Sequence, residues 1–355
     1  MKKFFAVLVL VCAVFNIQTA NAFSAKSYAV IEQTSGRILY SQNCEQRLTM
    51  ASTTKVMTAL IALEKMDMEK IYDIPDCAVG IEGSSIYLKK GEKLSGKDLI
   101  YGLMIASGND AAYAIANIVC ASTEEFVTLM NEKATDIGLK NTRFADPCGL
   151  ASKNHYTTAI DLANLCAIAM KNQQFVEIVS TQNYKIEGED GTVRYLHNKN
   201  RVLGEVAGGN GIKTGYTMAA GRCLCSSAKR GDMQVICVVL NDYDWFDDSK
   251  ALLEKAFKEF ELVKVCQKNN FASNCNIYGG KEKKCDIIYD EDFFYPIKKT
   301  EKLTVNVNSP ALISAPIQKG QSAGSADVFL DGKLIYTVEC VFAKDIKKKF
   351  TLFGR

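Results

Sequence analysis

The chain has 355 residues, 48% of them hydrophobic and 23% charged, with five prolines and no low-complexity tract: the composition of a globular protein with more than one domain. Setting aside Lys2 and Lys3 takes the formal charge from +3 to +1, and no long basic run follows, so nucleic acid is excluded as an expected partner. Two histidines, no C-x-x-C pair and no H-x-x-x-H helix leave neither a metal site nor another cofactor to expect.

Residues 1–22 read as a secretory signal peptide. Lys2 and Lys3 precede an apolar run over residues 4–15, and the small-x-small sequence Ala20-Asn21-Ala22 closes it. A spanning helix needs about 20 apolar residues, and this run breaks at Asn16 and Gln18. Cleavage after Ala22 would release an exported chain beginning at Phe23, and no later stretch is long and apolar enough to cross a bilayer. Of the thirteen cysteines, twelve outlast the leader. Cys120, Cys166 and Cys237 sit in apolar runs and are expected as buried thiols. Cys225 and Cys237, on the arms of a hairpin turning at residues 229–232, are placed to face each other across it.

Two short arms, Ser27–Glu32 and residues 37–41, predict a hairpin around Thr34-Ser35-Gly36. Residues 52–66 follow as a helix apolar on most faces, expected to lie buried in its domain and to be opened by Ser52. A helix start offers unpaired N–H groups and the positive end of the helix dipole, which favour negative charge developing nearby. Lys55 shares that face one turn on. A serine hydroxyl becomes a nucleophile when a neighbouring base takes its proton, and a lysine serves if burial and a second cation lower its pKa. Lys213 is the natural second cation.

Ser107-Gly108-Asn109 falls in a turn between two helical stretches. Ser107 can relay a proton to a leaving amine, and the Asn109 amide can hold Lys55 or a substrate backbone. Lys213-Thr214-Gly215 follows a glycine-rich segment and is expected on an edge strand. There Lys213 and Thr214 can bind a carboxylate, Gly215 lets a substrate backbone lie close, and the Tyr216 N–H can join that of Ser52 as an oxyanion hole. Each triplet alone is common turn or strand chemistry. The order S-x-x-K, S-x-N, K-T-G is that of a lysine-assisted acyl-serine enzyme.

With these residues in place, the region from Ala29 to Val263 resembles the serine D-alanyl-D-alanine carboxypeptidases, the low-molecular-mass penicillin-binding proteins. The likeness extends to Ala51-Ser52-Thr53-Thr54-Lys55-Val56-Met57-Thr58-Ala59-Leu60, Ala106-Ser107-Gly108-Asn109-Asp110-Ala111-Ala112, Asn154-His155-Tyr156-Thr157-Thr158-Ala159 and Gly211-Ile212-Lys213-Thr214-Gly215-Tyr216-Thr217. The resemblance implies an α+β fold of β-lactamase/transpeptidase type, an antiparallel sheet covered by helices with the site between the sheet and a helical lobe. It implies Ser52 as nucleophile, Lys55 as base, Ser107 and Asn109 as the second motif, Lys213 and Thr214 on the substrate carboxylate and Thr217 among the substrate-binding residues, with Lys199 where some relatives place a carboxylate-binding arginine. His155 is expected to hold a loop. The implied partners are a peptidoglycan stem peptide ending in D-Ala-D-Ala and β-lactams that acylate Ser52.

Class A β-lactamases share the fold but add a glutamate that activates the deacylating water, and residues 141–150 contain none. Endopeptidase or transpeptidase action on the same acyl-serine stays open, as does a non-catalytic muropeptide-binding role. Beyond Val263, alternating runs such as Leu303-Thr304-Val305-Asn306-Val307 and a turn at Asp331-Gly332 predict a small β-domain over residues 264–340, after a catalytic domain over 23–263. Over residues 341–355, Phe342, Ile346, Phe350 and Phe353 fall on one helical face with lysines mainly elsewhere. That tail reads equally as a solvated terminal helix or as an amphipathic anchor to a membrane surface.

Overall fold

The computed structural model describes residues 23–150, 153–188 and 191–350. The expected leader lies outside the described residues. Strands β1 (Ser27–Glu32) and β2 (Ile38–Gln42) form the predicted hairpin, and a 3-10 turn over Ala51–Thr54 leads into α1 (Lys55–Lys65). Short strands β3 (Ile71–Asp73) and β4 (Lys93–Ser95) pair before a helical lobe of α2 (Gly96–Met104), α3 (Asn109–Val119) and α4 (Thr123–Asp136), followed by α5 (Ala159–Ala169) and α6 (Gln173–Ser180). A hairpin of β5 (Asn183–Glu187) and β6 (Val193–His197) and one turn of helix, α7 (Val202–Glu205), precede the long strands β7 (Gly209–Thr217), β8 (Gly221–Arg230) and β9 (Met233–Leu240) and then α8 (Trp245–Glu259).

The main sheet is antiparallel in the order β2-β1-β9-β8-β7, which leaves β7 at one edge. Strand β9 reads Met-Gln-Val-Ile-Cys-Val-Val-Leu without a polar alternation because both faces of the sheet are covered. Ile236, Val238 and Leu240 enter the core built on α1, α2, α3 and α5, whereas Val235, Cys237 and Val239 enter a second core under α8. That alternation decides the cysteine question. Cys225 lies opposite Val238 and Cys237 opposite Ser226, so the two thiols point into different cores and do not face each other. All twelve cysteines of the described residues are free thiols, nine of them buried.

The rest of the chain is β. Strand β10 (Phe260–Cys266), which contains Val263, runs directly out of α8, and β11 (Phe271–Tyr278) and β12 (Lys284–Tyr289) follow it. Next come β13 (Phe293–Lys298), β14 (Leu303–Asn308), β15 (Leu312–Ser314), β16 (Ser322–Leu330) and β17 (Lys333–Phe342). β10 pairs with β13, and the other six strands form a sheet ordered β14-β16-β17-β12-β11-β15 around its own core. The Asp331-Gly332 turn joins β16 to β17 with both residues at positive φ, 48° and 81°, as a tight two-residue hairpin requires.

The helical reading of the tail is corrected here. Phe342 ends β17, and Ile346 exchanges backbone hydrogen bonds with Ile317 while Lys349 N–H donates to Gly279. Phe342 and Ile346 are buried in the small domain's core, so their spacing of four came from a strand end and a following bridge rather than from a helix face. Phe350 is exposed, and Phe353 lies outside the described residues.

Candidate active site

Ser52 sits in the 3-10 turn, one turn ahead of the α-helix proper, which starts at Lys55. The expectation that Ser52 opens the α-helix is corrected by that turn. The chain enters it through Ala51 at φ 47°, and the turn is closed by its own hydroxyls: Thr53 Oγ1 donates to the Met50 carbonyl at 2.6 Å and Thr54 Oγ1 to the Ala51 carbonyl at 2.8 Å. The apolar helix α1 after it packs against α2, α3 and α5, and Lys55 at its start is completely buried.

Lys55 Nζ stands 2.9 Å from Ser52 Oγ, 2.7 Å from Asn109 Oδ1 and 2.9 Å from the Cys148 carbonyl oxygen. Burial lowers the Lys55 pKa to about 8, opposed by the nearby Cys148, Asp146 and Asp110. Lys213, also buried, is pushed well below its usual value by burial first and then by the charge of Lys55. Lys213 was expected to lower the Lys55 pKa as a second cation; in the structure burial is what lowers Lys55, and the charge of Lys55 acts on Lys213. A neutral amine at Lys55 has two N–H bonds and one lone pair. The Asn109 and Cys148 oxygens can take the two N–H bonds, and the lone pair is then left to face Ser52 Oγ.

Ser107 and Asn109 lie in the turn between α2 and α3, with Ser107 at φ 61° and half-buried. Asn109 is fixed from its other end, where Nδ2 donates to the Glu82 carbonyl at 2.6 Å. Asp110 accepts from Ser85 Oγ and from the Ile86 and Leu88 N–H groups, pinning the 84–88 loop beside this turn. Among the described residues Ser107 Oγ makes no hydrogen bond to Ser52 or Lys55.

Lys213, Thr214, Gly215, Tyr216 and Thr217 lie on edge strand β7, packed against the Ser52 turn. Lys213 Nζ donates to the Thr214 carbonyl at 2.9 Å. The Thr217 hydroxyl accepts from Ala220 N–H at 3.0 Å and so closes the β7–β8 turn, while the Tyr216 side chain is largely exposed. Lys199 is exposed and close enough for its charge to act on Lys213.

His155 is buried and neutral in character, its pKa lowered by burial against the pull of Asp146. Ala145 N–H donates to Nδ1 at 3.0 Å, which leaves the proton on Nε2 to reach Thr54 Oγ1 at 2.7 Å. It ties the 145–150 segment to the Ser52 turn, a role the sequence shows only as a lone histidine. The Cys148 carbonyl was not legible in the sequence, because a backbone acceptor leaves no side-chain signature, and Asp146 was not singled out there. A cavity of about 550 Å³, lined among others by Arg230, Phe257 and Lys298, contains none of these residues, so chemistry rather than concavity locates the site. Among the described residues no cluster of three or more His, Cys, Asp or Glu is arranged to hold a metal.

An antiparallel sheet, a helical lobe, and a serine hydroxyl bonded to a buried lysine between them are the plan of the serine-acylating peptidases. A family model described as D-alanyl-D-alanine carboxypeptidase matches residues 14–244, and one described as the C-terminal domain of penicillin-binding protein 5 matches residues 260–348. The chain is 35% identical to the D-alanyl-D-alanine carboxypeptidase DacF of Bacillus subtilis, over 92% of this chain and 87% of that protein. It is 31% identical to DacC of Escherichia coli, over 95% and 87%. The solved structure of penicillin-binding protein 5 from Haemophilus influenzae superposes with a TM-score of 0.80 at 29% identity, covering 93% of this chain and 99% of that one. The chain belongs to the D-alanyl-D-alanine carboxypeptidase family.

Proposed function

We propose that this serine-type D-alanyl-D-alanine carboxypeptidase removes the terminal D-alanine from peptidoglycan pentapeptide stems through an acyl-Ser52 intermediate. Lys55, as the free amine, takes the Ser52 hydroxyl proton while Oγ attacks the carbonyl carbon of the penultimate D-alanine. The resulting oxyanion sits between the N–H groups of Ser52 and Tyr216. The C–N bond then breaks, and the departing amine receives the proton from Lys55 through Ser107. Water attacks the acyl-Ser52 ester while Lys55 takes one of its protons, Lys55 passes that proton to Ser52 Oγ as the ester C–O bond breaks, and the shortened stem leaves with Ser52 restored. Asn109 keeps the Lys55 lone pair on Ser52, and Lys213 and Thr214, with Thr217 at the strand end, grip the leaving D-alanine carboxylate. Lys199 adds positive field at the mouth. A carboxylate arriving beside Lys213 would restore the ammonium form that burial disfavours.

The observation that carries this reading is the 2.9 Å contact of Ser52 Oγ with a fully buried Lys55 whose pKa is brought to about 8. A β-lactam would acylate Ser52 in the same way, its tethered leaving group remaining attached. Residues 1–22, read as a leader from their sequence, support a location outside the cytoplasmic membrane, on the wall side; the described residues include no helix long and apolar enough to cross a membrane. Peripheral attachment through the last residues belongs to this proposal. The test is D-alanine release from a peptide ending in D-Ala-D-Ala by residues 23–355, beside Ser52→Ala and a penicillin-blocked control. Release abolished in both controls supports the reading. No release despite stable penicillin labelling of Ser52 would replace it with transpeptidase, endopeptidase or binding activity.

A further inference from the structure

Residues 146–150 have no regular secondary structure, yet they touch the Ala51–Thr54 turn and the first turn of α1 at three points. The Cys148 carbonyl accepts from Lys55 Nζ at 2.9 Å, and the Pro147 carbonyl accepts from Thr58 Oγ1, on the first turn of α1, at 2.6 Å. Gly149, at φ 94°, lies so close that a β-carbon there would stand 1.8 Å from the Ala51 carbonyl oxygen and 2.9 Å from the Ser52 nitrogen. A glycine is required both by that φ and by that approach.

The segment holds this shape around one carboxylate oxygen. Asp146 Oδ1 accepts from the N–H groups of Cys148 at 2.8 Å, Gly149 at 2.5 Å and Leu150 at 3.3 Å, and its Oδ2 lies 3.7 Å from His155 Nδ1. Three converging amides on an ionised acceptor fix the orientation of the peptide planes between them. One of those planes carries the carbonyl that meets Lys55.

We propose that Asp146 is a positioning residue of this site, gathering three amides so that the Cys148 carbonyl occupies one N–H of the Lys55 amine and turns its lone pair onto Ser52. The proposal rests on the reading of Lys55 as the base for Ser52. A Cys148 carbonyl free to rotate away would leave the amine with Asn109 alone as an acceptor, and the lone pair would no longer have a single direction. Asp146 also acts through its charge. The groups facing Lys55 are Asp146 and Cys148 from this segment, Asp110 from α3 and Lys213 from β7. Removing one negative charge from that set favours the neutral amine.

The experiment is the rate of Ser52 acylation by a fluorescent penicillin from pH 6 to 10, on residues 23–355, for the wild type, D146A and D146N, with melting temperatures alongside. D146A is expected to acylate about 10- to 100-fold more slowly on the alkaline plateau, the scale of a misplaced catalytic group, with a smaller deficit on the acid limb because the carboxylate charge is lost there too. D146N keeps an oxygen for the same three amides, so it recovers most of that loss, and its acid limb moves to lower pH because the carboxylate charge is gone. A folded D146A within twofold of wild type on that plateau would overturn the proposal, as would a D146N acid limb that stays in place or moves upward. Should D146A fail to fold, the D146N limb decides alone. A wild type that penicillin does not acylate would instead sink the Ser52–Lys55 reading on which the proposal stands.

Discussion

Gly215 lies directly against Ser52: a β-carbon on Gly215 would stand 2.9 Å from the Ser52 nitrogen, 3.0 Å from the Thr53 nitrogen and 3.2 Å from the Ala51 β-carbon. Two of those neighbours are backbone in a turn held by its own hydroxyls, so they cannot swing aside. Gly215→Ala must therefore part β7 from the Ser52 turn, widening the gap in which the oxyanion would sit. Penicillin acylation should fall by roughly 100-fold, the penalty of a displacement on the order of 1 Å at a reacting centre. Stopped-flow labelling measures it, and a variant that acylates at the wild-type rate would show that the two elements do not form one site.

The pH dependence follows from Lys55. With its pKa brought from the usual 10.5 to about 8 by burial, the free amine is the minor form at pH 7 and the major form above pH 8. Acylation should rise about tenfold per pH unit below that value and level off above it, as expected for a general base. Lys55→Arg, which cannot give up its proton, should lose at least about 1,000-fold in acylation. A flat profile from pH 6 to 9 would contradict the assignment.

Asp242 offers a stability test away from the chemistry. It is almost wholly buried, its Oδ1 is shared by Ser24 and Asp244 N–H, and its Oδ2 has no partner, with Asp248 nearby. Burial raises its pKa from 3.8 to about 6, opposed by the Ser24 hydrogen bond and assisted by Asp248. A carboxyl raised on folding favours the native state while protonated, so its penalty is absent below about pH 4 and complete above about pH 6. Asp242→Asn should stabilise the protein by roughly 2 kcal/mol at pH 7.5 and by little at pH 4. Denaturant melts at the two pH values make the comparison, and an equal effect at both would refute the argument.

Arg37 connects the first hairpin to the β-rich remainder of the chain. Its guanidinium donates to Glu301 and to the Pro296 carbonyl and stacks 5.2 Å from the Phe260 ring centre and 5.1 Å from that of Tyr295. The pairing with Arg37 holds the Glu301 carboxyl below its usual range. Arg37→Ala strands Glu301, and its cost should reach about 2–3 kcal/mol because the pair is largely shielded. Calorimetry should show the loss while D-alanine release at 25 °C stays within twofold. Loss of release with no change in melting would mean that Arg37 serves the site instead.

Two truncations separate fold from membrane association. Removing residues 343–355 takes Ile346 out of the small domain's core and should unfold that domain, a loss of about 2–5 kcal/mol for a buried isoleucine alone. Removing only residues 351–355 spares every contact described above. Membrane fractionation lost on the shorter cut, with melting unchanged, would assign attachment to those five residues, whereas fractionation that survives the shorter cut would take attachment away from them.

The sequence disclosed the side chains that the structure brings together around Lys55 better than their surroundings. Ser52, Lys55, Asn109 and Lys213 announced themselves because their chemistry depends on residue type and spacing, and β9 was legible as a strand through its apolar run. Cys225 and Cys237 were misplaced because hairpin spacing gives the turn but not the register, and a shift of one residue reverses the face. The tail misled for a related reason: Phe342 and Ile346 satisfy a helical spacing, but their backbone bonds go to distant partners, Gln321 and Ile317, which no local pattern encodes. The Cys148 carbonyl belongs to the same category, a contact made by the main chain across 93 residues of sequence.

That last contact has a consequence for how the molecule can be studied. The atoms around Lys55 Nζ come from the Ser52 turn, the start of α3 and the 146–150 segment, with Lys213 arriving later still on β7. No piece much shorter than the stretch from Ser52 to Lys213 can bring them together, because each joining to Lys55 closes a loop of fifty residues or more, an entropic cost met only when that domain is in place. A penicillin that bonds to Ser52 thus tallies molecules whose site-bearing domain is complete, and its uptake over time after dilution from denaturant would trace the assembly of that domain.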